Sequence, residues 1–253
     1  MNKTKKEKYP EELQRFKGRC EWLSTGEAHA MDVYRFSPAQ KTGMNLIFYC
    51  DAGGVRPAMF QMARQLAGAE HEVIMPNLYY RLGDYAPFNA STVFEDPPEM
   101  QRLMSMIGSV TEANAMADTA LCLESLTGET GALGYCMGGG MALRAAAHFE
   151  QIAAAASVHG GDLATEHPES PHRLFNNKKP ELQSRLYLGV AGIDPYFSFE
   201  QQGRLETALR EAGNVYQLSV FPEVHHGFAV LDMPVYNKTA ADRVNQQLRA
   251  FFA

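Results

Sequence analysis

Short apolar runs alternate with segments of helical period along nearly the whole chain, and few folds accept that alternation. "MDVYRFSP" (31–38), "MNLIFYC" (44–50), "HEVIMP" (71–76), "GALGYC" (131–136), "IAAAASVHGG" (152–161), "RLYLGVAGID" (185–194) and "NVYQLSVFP" (214–222) read as strands. Between them, "AMFQMARQLAGAE" (58–70) places Met59, Met62, Ala63 and Leu66 on one helical face, and further helical patterns start at Pro98 and cover 111–126, the residues after Cys136, 199–212 and 235–252. Strands that alternate with helices build a mostly parallel sheet covered by helices on both faces, so the predicted class is α/β. Residues 31–253 read as one domain, with 1–30 as a solvated N-terminal arm belonging to it. The stretch 77–97, "NLYYRLGDYAPFNASTVFEDP", has no period; its aromatics argue against disorder, so it reads as a functional loop.

Composition narrows the function classes. A net charge of -6 supplies no basic footprint for nucleic acid. No apolar run approaches the roughly 18 residues that span a bilayer, and the basic, polar N-terminus does not read as a secretory signal. The four cysteines, Cys20, Cys50, Cys122 and Cys136, fit neither a zinc site nor a disulfide framework, which implies a reducing, cytoplasmic setting. No metal or organic cofactor is expected.

Chemistry in a parallel α/β sheet collects in the loops at the carboxyl ends of the strands. Three such ends carry reactive side chains: Cys136, Asp194 and the pair His225–His226. Nucleophile, acid, histidine is the chain order of an α/β-hydrolase. "GYCMG" (134–138) fits the G-x-nucleophile-x-G pattern, in which a sharp strand-to-helix turn leaves no room for side chains two residues either side of the nucleophile. The helix that follows points its N-terminus at the sulfur and, with a histidine, favours a thiolate. The backbone N–H of Met137 then forms half of an oxyanion hole, and an N–H near Ala52 the other half. The bland readings are a small buried cysteine at a strand end and an Asp194 that caps the next helix. Tyr79, Tyr80, Tyr85 and Phe88 either line the pocket or pack the long loop; His159 either faces the pocket or sits satisfied in the core.

"DAGGVRPAMFQMARQLA", "VIMPNLYYR", "GYCMGGGMALRAAA", "GVAGIDPYF" and "VHHGFAV" together resemble the dienelactone hydrolase (carboxymethylenebutenolidase) family, from about residue 44 to the C-terminus. The resemblance implies an α/β-hydrolase fold with Cys136 as nucleophile, Asp194 as acid and His226, before Gly227–Phe228, as base. It puts Asp51 where the best-known members carry a glutamate that pairs with the resting thiol and swings away as substrate binds. Arg81 matches an arginine that engages the substrate carboxylate; the second family arginine is replaced by Val230, which halves that clamp and implies better acceptance of neutral substrates.

The expected function is cysteine-dependent hydrolysis of a lactone or small carboxylic ester, with a small-molecule substrate and neither nucleic acid nor membrane as partner. Two other classes compete. A thiol sensor would pair Cys50 with Cys136, and a carboxylate-binding protein would keep the fold without turnover, although a pure binder needs neither Asp194 nor His226.

Overall fold

The computed structural model describes residues 8–26, 28–68, 70–176 and 184–253. Eight strands form one sheet: β1 (Arg19–Leu23), β2 (Met31–Phe36), β3 (Asn45–Tyr49), β4 (Glu72–Pro76), β5 (Thr130–Tyr135), β6 (Ile152–Val158), β7 (Arg185–Ile193) and β8 (Tyr216–His225). Their order across the sheet is β1-β2-β4-β3-β5-β6-β7-β8. The pairs from β4 to β8 are parallel, while β2 runs antiparallel to both β1 and β4. Eight helices connect them: α1 (Pro10–Phe16), α2 (Pro57–Ala67), α3 (Pro97–Ser109), α4 (Glu112–Glu124), α5 (Met137–His148), α6 (Pro171–Asn176), α7 (Phe199–Glu211) and α8 (Lys238–Phe252).

The two-residue period of the strands divides the core. On β3, Leu46 and Phe48 join a cluster with Leu13 of α1, Phe60 of α2 and Val244 of α8, while Ile47 and Tyr49 join Ala115 of α4, Leu143 of α5 and Leu205 of α7. Helices therefore cover both faces, as the alternation predicts. A third, smaller cluster gathers Tyr79, Phe88 and Val93 from the long loop against Leu103 and Met106 of α3. The loop is ordered by its own aromatics.

The N-terminal segment differs from the predicted solvated arm. Residues 1–7 lie outside the described residues, but α1 and β1 are part of the fold. Leu13 is buried in the core, the Tyr9 hydroxyl donates to the Val55 carbonyl at 3.1 Å, and β1 adds an outer strand to β2. "RCEWL" escapes a periodicity search because an edge strand alternates without a long apolar run. The polar loop predicted between β6 and β7 likewise contains a short helix, α6.

Candidate active site

The end of β5 turns straight into α5 at Cys136, whose φ of 55° and ψ of -120° are left-handed values costly for any residue with a Cβ. Close packing enforces the turn. A Cβ on Gly134 would overlap the Gly138 carbonyl, and one on Gly138 would overlap the carbonyl oxygens of Tyr49 and Cys50 at the end of β3. The turn is held by the Cys136 N–H on the Val158 carbonyl (3.1 Å) and the Gly139 N–H on the Cys136 carbonyl (2.9 Å). Cys136 stays half-buried, with its sulfur at the N-terminus of α5.

His226 follows the last residue of β8, and Asp194 follows the last residue of β7. The two meet: Nδ1 of His226 donates to Oδ2 of Asp194 at 2.8 Å, between side chains 12% and 1% exposed. The other carboxylate oxygen accepts the backbone N–H of Tyr196 at 2.9 Å. Asp194 is therefore no helix cap; Ser198 caps α7. Burial by itself would strip the proton from His226, but the hydrogen bond to Asp194 and the proximity of Cys136 outweigh it and carry its pKa up to about 10. Nε2 has no hydrogen-bond partner of regular geometry, so Cys136 acts on the ring by closeness rather than by an aligned bond. His225 is exposed on β8.

Around this pair, the N–H groups of Met137 and Ala52 have no protein acceptor among the described residues. Met137 is the first residue of α5, where a helix leaves its N–H groups without intrahelical partners. The Tyr79 hydroxyl donates to the Ala52 carbonyl at 2.9 Å and lies 3.7 Å from the Met137 sulfur, bracing the two loops against each other. His159 lies just beyond β6, 1% exposed, with its ring edge to face with His226. Burial, reinforced by His226, pushes its pKa well below the ordinary histidine value, so it is neutral. All four cysteines are free thiols, and burial raises the pKa of both Cys50 and Cys122 far above the usual range. Among the described residues no group of three or more histidine, cysteine or acidic side chains is placed to hold a metal ion.

The sequence model of the dienelactone hydrolase family matches residues 31–253. The chain belongs to the dienelactone hydrolase family. It is thus a hydrolase. An Escherichia coli O157:H7 protein named "Putative carboxymethylenebutenolidase" is 27% identical over 233 residues, covering 88% of this chain and 82% of its own. "Hydrolase tropI" of Talaromyces stipitatus is 24% identical, covering 79% and 76%. Among solved structures, a Klebsiella pneumoniae protein called "Putative Dienelactone Hydrolase" superposes with a TM-score of 0.75 at 22% identity, over 93% of this chain and 98% of that one. The dienelactone hydrolase of Anabaena variabilis gives 0.60 at 18% identity, over 93% and 97%. Both share the α/β-hydrolase fold.

Within this dienelactone hydrolase family chain, several residues carried over by resemblance do something else. Asp51 is engaged by a neighbouring arginine. Both its carboxylate oxygens take Arg56, at 2.6 and 2.8 Å, and Arg56 in turn holds Asp232 at 2.7 and 2.8 Å. A guanidinium only 3% exposed needs that much compensation. Arg81 forms a two-pronged pair with the buried Asp118 of α4, at 2.7 and 2.8 Å, and stacks on Tyr80. Tyr80 itself donates to Asp118 at 3.1 Å. The reason is local: residues 80–82 form a single 3-10 turn, which sends Tyr80 and Arg81 under α4 and leaves Tyr79 beside Met137. Tyr85 packs edge-on against Tyr79 and hydrogen-bonds Asn77. Val230 is fully buried in the core rather than at a pocket wall. Arg56, Asp118, Tyr196 and Asp232 were not singled out from sequence. Asp118 alone had a signal: an acid among Ala115, Met116 and Cys122, all buried on one helix.

Proposed function

We propose that this hydrolase cleaves a lactone or small carboxylic ester with Cys136 as nucleophile, His226 as acid and base, and Asp194 as the group that orients the ring. The reading is carried by one observation: the Asp194–His226 bond of 2.8 Å next to a cysteine in a left-handed turn at a helix N-terminus. The imidazolium of His226 is the favoured form, so in the proposed cycle the ring holds the proton while the sulfur acts as nucleophile. The thiolate attacks the carbonyl carbon; a C–S bond forms, and the oxyanion rests on the N–H groups of Met137 and Ala52. Collapse breaks the C–O bond, and His226 gives its proton to the leaving alkoxide, which stays tethered if the substrate is a lactone. Water then attacks the thioester and loses a proton to His226; the acid departs and the thiolate returns. The reaction as written draws on no cofactor.

The test is a panel of lactones, aryl esters and thioesters hydrolysed by the wild type beside Cys136→Ala, His226→Ala and His225→Ala. The expectation is hydrolysis by the wild type, none above background for Cys136→Ala, a loss of about 10²–10⁴-fold for His226→Ala, and near wild-type rates for His225→Ala. Turnover that survives Cys136→Ala would discard the reading.

A further inference from the structure

His226 is flanked by two aromatic rings from different parts of the chain. The Tyr196 ring lies 4.9 Å from it at an interplanar angle of 68°, and the His159 ring lies 5.2 Å away at 64°. Both are edge-to-face arrangements. Neither flanking ring depends on His226 for its place. The Tyr196 backbone donates to Asp194 Oδ1 at 2.9 Å and accepts from the Asp162 N–H at 2.7 Å and from Gln201 Nε2 at 3.3 Å. His159 sits at a φ of 39°, its N–H on the Gly189 carbonyl at 2.7 Å, its ring boxed by Tyr135 at 5.7 Å and Phe228 at 5.5 Å.

His159 is unusual in another respect: both ring nitrogens are buried without a hydrogen-bond partner. A neutral imidazole that makes no hydrogen bond to His226 meets it through its ring, at 5.2 Å between centroids. A ring face carries negative quadrupole density and attracts a cation within about 6 Å of its centre. We propose that Tyr196 and His159 form an aromatic clamp that favours the protonated ring of His226 and fixes its plane, acting as positioning residues for the proton that leaves and returns in each turnover. The clamp works alongside the charged and titratable groups that act on His226: Cys136 from the β5–α5 turn, Asp162 from the loop after β6 and Asp194 at the end of β7, while His225, its neighbour in sequence, is exposed. Gly161 lets the loop come close, since a Cβ there would stand 3.0 Å from Tyr196 Cβ and 3.7 Å from His226 Cε1.

The use of the clamp in catalysis rests on the cysteine-hydrolase reading, but its test does not. The Cε1–H resonance of His226, identified by its loss in His226→Gln, is titrated by NMR in wild type, Tyr196→Phe, Tyr196→Leu, His159→Phe and His159→Leu. Each leucine variant should lower the His226 pKa by about half a unit to one unit, and each phenylalanine variant should keep the wild-type value because a ring face remains. Leucine variants that titrate like wild type, or phenylalanine variants that shift as far as leucine ones, overturn the clamp. Tyr196 is 46% exposed, so its variants keep the test open if the buried His159 variants fail to fold. A shifted pKa in an enzyme that hydrolyses no ester would keep the clamp and remove the proposed function.

Discussion

At the scale of single residues, the site turns on where one proton rests. The folded-state pKa of His226 is raised from 6.5 to about 10, with Asp194 and Cys136 opposing burial. A group whose pKa rises on folding stabilises the fold fully below its unfolded value and loses that contribution as pH climbs through the folded one. Wild type should therefore lose stability between about pH 6.5 and 10 relative to His226→Gln, by something on the order of a few kcal/mol, with the two urea-unfolding curves converging above that window. A constant difference between them across the range would mean that the ring is neutral in the native state. Cys136, Asp194 and His226 were legible in the sequence because each stands where a strand ends, and a strand end is visible in one dimension. Asp51, Arg81 and Val230 were not, because their roles depend on side-chain direction. One 3-10 turn suffices to send Arg81 to Asp118, and a neighbouring Arg56 suffices to claim Asp51.

At the scale of elements, the strand–turn–helix unit of β5 and α5 is the part of the site that tolerates least. Gly134 faces the first turn of its own helix so closely that a methyl group would have to displace backbone, not a side chain. Gly134→Ala should cost at least ~3 kcal/mol, a fall in Tm of about 6–12 °C in a domain of this size, or prevent folding. Gly203, on α7, has open space around its missing Cβ, so Gly203→Ala is the matched control and should be neutral or slightly stabilising. Differential scanning calorimetry of the pair separates close packing from a general intolerance of alanine. The seven strands predicted from apolar runs are all present, with ends displaced by a few residues; six of them, β2 to β7, are buried along most of their length, which leaves a continuous hydrophobic signature. The strand that escaped, β1, is one of the two outer strands and, unlike β8 at the other edge, carries no buried residue.

At the scale of the whole molecule, Arg56 stitches the loop that carries Ala52 to the loop that follows His226, through Asp51 on one side and Asp232 on the other. Removing a buried cation that serves two carboxylates costs about 3–5 kcal/mol. Arg56→Met should show that loss in urea, and removing the carboxylate left buried, in Arg56→Met/Asp51→Asn, should recover part of it. If the double variant is no more stable than the single one, packing rather than charge holds the two loops. The same bridge bears on how the protein is made. Arg56 and Asp232 stand 176 positions apart, and His226 arrives only six residues before its end of the bridge. A growing chain presents Cys136 long before it can present the imidazole of His226. The two come together only after β6, β7 and β8 have followed β5, so the proposed pair is a product of the folded sheet and of no shorter piece of it.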